Sequence, residues 1–249
     1  MKSYNYIEKG EGQVIILLHG LMGGLSNFKD VTDFFSSKGY KVIIPELPIY
    51  SLPLKVTTVT AFSDFLEDFI EYKNLNDVII LGNSLGGHIG LIFSNKNPNF
   101  VKSLILTGSS GLYENSMGES YPKRENYEYI KRKTQEVFYN SKVATKEIVD
   151  EVFETVNNRE KLVRILAIAK SAIRHNMSKE LPNIKTPTLL IWGENDLVTP
   201  PEVATEFKSL LPNSKLKWIK KCGHAPMMEH PKEFNEILFD WLSKKNDLV

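Results

Sequence analysis

"DVIILGNSLGGHIGLIFSNKNP" covers residues 77–98 and changes its hydrophobic period at its centre. Val78, Ile79, Ile80 and Leu81 form a short aliphatic run that reads as a buried strand. From Leu85 onward, Ile89, Leu91, Ile92 and Phe93 recur at helical spacing. Between the two stand Gly82, Asn83, Ser84, Leu85, Gly86 and Gly87. An ordinary βα turn would use the glycines to relieve crowding and the serine to cap the helix. A nucleophile elbow would set the serine at a strained point of the turn, with its hydroxyl raised above the sheet edge. Small residues two before and two after it would let neighbouring backbone close in. The second reading makes a demand on the rest of the chain. A serine hydroxyl is a poor nucleophile until a base takes its proton, and the base needs an orienting acid.

Outward from this segment, short apolar strands alternate with amphipathic helices, the pattern of a parallel sheet covered on both faces. Strands are expected at 3–8, 13–18, 41–44, 78–82, 103–107, 187–192 and 214–219, and helices at 27–37, 58–73, 85–96, 201–211 and 232–243. The alternation breaks at about 111–182. A polar Gly/Ser/Pro stretch, "SGLYENSMGESYP", precedes three helical patterns without strands, at about 124–139, 145–156 and 159–175. The expected organisation is therefore an α/β core of residues 1–110 and 183–249, with a helical insertion at 111–182.

Composition narrows the function classes. The chain has 249 residues, 42% of them hydrophobic and 24% charged, as in an ordinary globular protein. A net charge of +1 gives no reason to expect nucleic acid or an anionic membrane as partner. Cys222 is the single cysteine, which excludes an internal disulfide and reads as a small buried hydrophobe. The start, "MKSYNYIEKGEG", has no apolar core of the secretory kind, and the longest nearly apolar stretch, "VIILLHGLMGGL" (14–25), is too short to span a bilayer. A cytoplasmic protein is the expectation. No C-x-x-C pair, H-E-x-x-H helix, Walker loop or G-x-G-x-x-G occurs, so neither metal nor nucleotide cofactor is indicated.

The base is sought among five histidines. His19 ends the strand "VIILLH", His88 lies one turn into the helix after Ser84, His175 closes the third insertion helix, and His230 stands at a helix start. His224, in "KKCGHAPMMEHP", follows the strand "KLKWI", at the carboxyl edge where open α/β sheets bind their ligands. For the acid, "ENDLVTP" after "PTLLIWG" offers Glu194 and Asp196. Acids there also cap helices, and Pro200 and Pro201 mark a helix start. Asp196 is favoured because two further residues carry it around the turn. An oxyanion would be held by backbone N–H groups. One is that of Leu85 at the helix N-terminus, and the second comes from "HGLMGG" (19–24), at Leu21 or, with a register shift of one, Met22.

H-G-L-M-G-G, G-N-S-L-G-G, W-G-E-N-D-L-V-T-P and G-H-A-P-M-M-E-H-P, each at a strand end, resemble the α/β-hydrolase superfamily in its motif order. The resemblance spans nearly the whole chain. It implies Ser84 as nucleophile, His224 as base, Asp196 as acid, and Leu21 and Leu85 as oxyanion donors. It also implies that 111–182 is a cap, since the family commonly inserts one between its sixth and seventh strands. Two departures stand out. The loop "PELPIYSLP" (45–53) has bulkier residues where the family often has D-x-P-G-x-G-x-S. Asn83 before the serine and G-G after it resemble the meta-cleavage-product C–C hydrolases. Those usually carry Trp after the histidine and a Gly-Pro oxyanion loop, where Ala225 and "GLMGG" stand here.

The expected activity is cofactor-free, two-step acyl transfer on a small or medium carboxylic ester, with the cap roofing an apolar pocket. Tyr129, Val137, Phe138, Phe153, Leu166 and Ile173 are candidate cap contributors to that pocket. C–C hydrolysis of a diketone-like acid is the alternative, and it needs a cation, for which Arg164 and Arg174 are candidates. A slow-turnover ligand receptor on the same fold is a third reading, separated from the others by multiple turnover. Fold alone does not decide among them.

Overall fold

The computed structural model describes residues 3–22, 28–114 and 123–246. Seven strands are found among them: β1 (Tyr6–Lys9), β2 (Gln13–Leu18), β3 (Tyr40–Pro45), β4 (Val78–Asn83), β5 (Val101–Thr107), β6 (Thr188–Gly193) and β7 (Ser214–Ile219). They form one sheet in the order β1-β3-β2-β4-β5-β6-β7. Only β1 runs antiparallel to its neighbour; the other pairs are parallel. The inner parallel strands read as apolar runs because both of their faces are covered, whereas the edge strand β7 leaves Lys215 and Lys217 exposed.

Alternate residues face opposite layers. Ile16, Leu18, Ile80, Leu104, Leu106, Leu190 and Trp192 pack with α2 (Val59–Tyr72), α3 (Leu85–Lys96) and α7 (Pro201–Leu210). Ile15, Leu17, Ile79, Leu81, Ile105, Leu189 and Ile191 face α1 (Lys29–Ser36), the short α8 (Pro226–Glu229) and α9 (Pro231–Asn246). Between β5 and β6 lie α4 (Tyr127–Gln135), α5 (Lys146–Asn157) and α6 (Arg159–Arg174). Each of these three begins on a side-chain cap, from Asn126, Thr145 and Asn158 respectively. Ile130, Val152, Val156 and Leu162 form a small core among them, while Ile165, Ile168 and Ala169 join the main core. Residues 23–24 of the oxyanion loop and 115–122 of the polar stretch lie outside the described residues. No helix among the described residues is long and apolar enough to cross a membrane.

Strand order sets where chemistry can occur. β2 and β4 are adjacent, with Leu18 opposite Gly82, so the chain after each strand emerges side by side. β3 lies on the other side of β2, so the crossovers diverge there, which leaves a crevice at the carboxyl ends. The elbow is packed tightly into that crevice. A Cβ on Gly86 would stand 2.0 Å from the Leu18 carbonyl oxygen, and one on Gly82 would stand 2.4 Å from Gly86 backbone. Gly86→Ala should therefore destabilise the fold by about 3 kcal/mol, because overpacking against fixed backbone outweighs the ~1 kcal/mol helix preference of alanine. Urea unfolding measures this. Stability equal to or above wild type would mean the helix does not approach β2 so closely.

Candidate active site

Ser84 is the residue on which α3 begins, at φ 53° and ψ −119°, and its side chain makes no capping hydrogen bond. The backbone is fully engaged. Its N–H donates to the Thr107 carbonyl at 3.1 Å, and its carbonyl accepts from the amides of Gly87, His88 and Ser110. Positive φ is costly for a non-glycine residue, and here these bonds and the glycine contacts enforce it. The ordinary-turn reading required a capping serine. The structure gives instead a strained serine whose hydroxyl is not spent on the helix.

Asp196 lies three residues past β6, and His224 five past β7. Two backbone bonds lace their loops together, Glu194 N–H to the Ile219 carbonyl at 3.0 Å and Asn195 N–H to the Cys222 carbonyl at 2.9 Å. The imidazole Nδ1 of His224 stands 2.9 and 3.1 Å from the two Asp196 carboxylate oxygens. The carboxylate is 1% exposed and also accepts from the amides of Val198 and Thr199 and from the Thr199 hydroxyl. Glu194 is exposed. Burial acts to lower the His224 pKa, but the Asp196 carboxylate, by charge and hydrogen bond, and the charge of Glu114 outweigh it. The imidazole therefore stands above the ordinary histidine value. Bonding through Nδ1 leaves Nε2 for a reacting group.

The nucleophile strand and the histidine loop meet through Asn83. Its Nδ2 donates to the Thr107 carbonyl at 3.0 Å and to the His224 carbonyl at 3.2 Å. Gly108, just past β5, is pressed against the imidazole; a Cβ there would stand 2.7 Å from Nδ1. On the other side, a Cβ on Gly20 would lie 3.3 Å from Ser84 Cβ. The structure thus gathers the strand ends that carry Ser84, His224, Asp196 and the start of the oxyanion loop. Among the described residues, no hydrogen bond joins the Ser84 hydroxyl to His224. The His224 N–H donates to the Val137 carbonyl at 2.9 Å, so the segment after α4 also anchors the histidine. The function of Asn83 and Val137 was not visible in the sequence; the asparagine carried only a family likeness.

The other histidines are engaged elsewhere. His19 Nδ1 lies 2.9 Å from the Gly20 carbonyl, and His230 Nε2 lies 3.0 Å from that of Lys221. His88, fully buried, pairs through Nε2 with His175 Nδ1 at 3.1 Å. Burial, with some repulsion from His175, pushes the His88 pKa down to about 3. Cys222 is buried as expected, and burial pushes its thiol pKa up. Among the described residues, no group of histidine, cysteine and acidic side chains is arranged to hold a metal ion.

A cavity of about 230 Å³ adjoins the oxyanion loop. It is lined by His19, Leu21 and Met22, by Glu46, Leu47, Ile49 and Tyr50 of the "PELPIYSLP" loop, and by Glu151, Val152 and Thr155 of α5. None of the insertion residues expected to line a pocket is among the residues lining this cavity. Tyr129, Phe153 and Leu166 pack on the small core of the insertion, Val137 and Phe138 join the core on the α1, α8 and α9 face of the sheet, and Ile173 is 45% exposed. Helical spacing identified the apolar face of each helix but not which core it would join. Arg164 donates to the Leu52 carbonyl, and Arg174 is exposed.

Residues 13–231 match the alpha/beta hydrolase fold family, and the chain belongs to it. It is 52% identical, with a TM-score of 0.82, to the crystal structure of MGS-MChE2, an alpha/beta hydrolase enzyme from a sediment metagenome of the Mar Chica lagoon, Morocco, covering 99% of this chain and 97% of that one. It is 27% identical to 2-hydroxy-6-oxononadienedioate/2-hydroxy-6-oxononatrienedioate hydrolase 2 of Pseudomonas putida, over 96% of this chain and 91% of the relative. It is 28% identical to lipase 1 of Psychrobacter immobilis, over 90% of this chain and 75% of the relative.

The histidine environments separate in titration. His88, held near 3, should stay neutral at about pH 5, where His224 carries its second proton. Imidazole ¹⁵N spectra across acid and neutral pH check this. A His88 that protonates before His224 would contradict the buried pairing with His175.

Proposed function

We propose that this α/β-hydrolase is a serine hydrolase of small or medium carboxylic esters, working through Ser84, His224 and Asp196. The observation that carries the reading is a strained serine whose hydroxyl does not cap its helix, preceded by an asparagine that bonds to the carbonyl of a histidine paired with a buried acid. Ser84 Oγ attacks the ester carbonyl while His224 Nε2 takes its proton, and Asp196 holds the imidazolium that forms. The amides of Leu21 and Leu85 receive the oxyanion; the Leu85 amide belongs to the first turn of α3, where N–H groups lack intrahelical acceptors and the helix dipole favours an anion. His224 then protonates the departing alcohol and activates water to release the acid. Residues 111–182 act as the cap, bringing Glu151, Val152 and Thr155 to the cavity beside the oxyanion loop.

C–C hydrolysis is the second reading, supported by the Pseudomonas putida relative, whose name specifies a dicarboxylate substrate. The electrostatics favour the ester. The described residues lining the cavity include Glu46 and Glu151 but no lysine or arginine. Arg164 is occupied by a backbone carbonyl, and Lys161 stands 5.1 Å over the Tyr50 ring without lining the cavity. A dianionic substrate would meet like charge. Initial rates on matched neutral esters and diketone acids separate the two, with the neutral esters expected to turn over faster. Faster turnover of the diketone acid would exchange the readings, and turnover too slow for repeated cycles on every substrate would favour a receptor.

Ser84→Ala should lower kcat by about three orders of magnitude or more, leaving residual catalysis from the oxyanion site. Asp196→Asn keeps the shape but favours the wrong imidazole tautomer, and by analogy with the serine proteases the loss is on the order of 10⁴ in kcat. Glu194→Gln should change kcat by less than about threefold, since that carboxylate is solvated. All three are compared on one fast ester after circular dichroism shows native folds. A larger loss in the glutamine variant would move the acid role to Glu194.

A further inference from the structure

The cavity beside the oxyanion loop presents acceptors from three separate segments. Glu46 comes from just past β3, Glu151 from α5 and His19 from the end of β2. Both carboxylates are exposed, and neither forms an ion pair among the described residues. Lys161 stands 5.1 Å over the Tyr50 ring, yet it neither lines the cavity nor pairs with either acid. His19 is only 6% exposed. Its Nδ1 lies 2.9 Å from the Gly20 carbonyl, and because a carbonyl only accepts, Nδ1 carries the hydrogen. Burial lowers the His19 pKa, with the Gly20 carbonyl and the Glu46 charge acting against it, so the neutral ring keeps Nε2 as an acceptor. That Nε2 has no partner among the described residues, and it is not one of the unpartnered atoms sealed in the interior. An unmet acceptor on a buried ring that lines a cavity marks a place for a donor.

Strand order says which part of an ester reaches this cavity. Its walls follow β2 and β3, whereas Asp196 and His224 follow β6 and β7, and Ser84 follows β4 between them. His224 protonates the departing alcohol, so the alcohol lies toward β7 and the acyl group toward the cavity. A volume of about 230 Å³ is below the ~300 Å³ at which pockets for whole ligands begin, so it suits the end of an acyl chain.

We propose that this cavity is an acyl-end subsite for a primary ammonium group, and that the preferred substrates are esters of amino acids whose amine stands at the far end of the chain. The proposal rests on the serine ester-hydrolase reading above and names its substrate class. A primary ammonium carries three donors, and His19 Nε2, Glu46 and Glu151 offer acceptors around one cavity. Charge-assisted hydrogen bonds are roughly twice as strong as neutral ones, and unpaired carboxylates lining a cleft draw a cation in from solution. A methyl group in the same place leaves His19 Nε2 unmet. A trimethylammonium group keeps the charge but has no hydrogen to give.

The test measures kcat/KM at neutral pH, where an alkyl amine is protonated, on methyl esters of ω-amino acids of graded chain length. Each is compared with the ester carrying a methyl group in place of the ammonium and with the one carrying trimethylammonium. At the best chain length the ammonium ester should exceed the methyl one about tenfold or more, and the trimethylammonium ester should fall between them. The preference should shrink as salt is raised, because part of it is Coulombic. Glu46→Gln combined with Glu151→Gln should cut the ammonium-to-methyl ratio about threefold or more, and Glu151→Lys should reverse it. Circular dichroism first shows each variant folded, and reading the ratio keeps a general loss of activity from imitating the effect. Equal kcat/KM for the ammonium and methyl esters at every chain length would overturn the proposal, as would a preference that both variants leave unchanged. Trimethylammonium preferred over primary ammonium would remove His19 from the subsite and overturn it too. If no ester is cleaved, or Ser84→Ala cleaves them as fast as wild type, the serine reading fails and this inference fails with it. Ser84-dependent cleavage without an ammonium preference overturns the inference alone.

Discussion

The backbone of Ser84 is held at φ 53°, and the rest of the site is arranged around keeping it there. A serine in that conformation costs of order 1–3 kcal/mol unless its surroundings over-determine it. Here they do. Thr107 takes its amide, three amides converge on its carbonyl, and the backbones of Leu18, Gly82 and Gly86 approach too closely for any side chain at the two glycines. The restraints come from the neighbouring strands, from the segment after β5 and from α3. The adjacency of β2, β4 and β5 is thus a condition of the elbow as well as of the sheet. The strain turns the hydroxyl away from the helix it would otherwise cap.

The same strand order brings the base and its acid to the elbow. β6 and β7 pair in register from Thr188 to Gly193, so their loops leave the sheet together and bond to one another before reaching Asp196 and His224. Asn83 closes the distance between the two halves by donating to β5 and to the histidine loop at once. The insertion adds a restraint from outside the sheet. The Val137 carbonyl receives the His224 amide, and Glu229 accepts from both Gly223 and Asn140, which fastens the histidine loop to the segment after α4. Movement of the insertion and orientation of the base are therefore mechanically linked.

Much of this was readable in the linear chain, for reasons that are local. The change of period at Ser84, the placement of Asp196 two residues beyond Glu194, and the position of His224 after a strand all depend on short-range pattern. Element boundaries agree to within about four residues for the same reason, with α4 the furthest displaced, at Tyr127–Gln135 rather than about 124–139. What escaped reading depends on residues distant in sequence. The two hydrogen bonds donated by Asn83 Nδ2 and the anchoring of His224 by Val137 appear only when separate segments meet. The insertion shows the limit most clearly. Helical spacing marks Phe153 and Leu166 as inward, but inward here means toward the small core shared by α4, α5 and α6, while the charged Glu151 reaches the cavity.

In the proposed mechanism Ser84 carries the acyl group between two half-reactions. Rapid quenching during turnover of a fast ester, followed by peptide mass mapping, tests it most directly. A transient mass gain equal to the acyl group is expected, confined to the peptide containing Ser84. It should be absent in Ser84→Ala and form far more slowly in His224→Ala, which lacks the base for both half-reactions. An acyl group recovered on another residue, or turnover with no covalent species at any quench time, would contradict it.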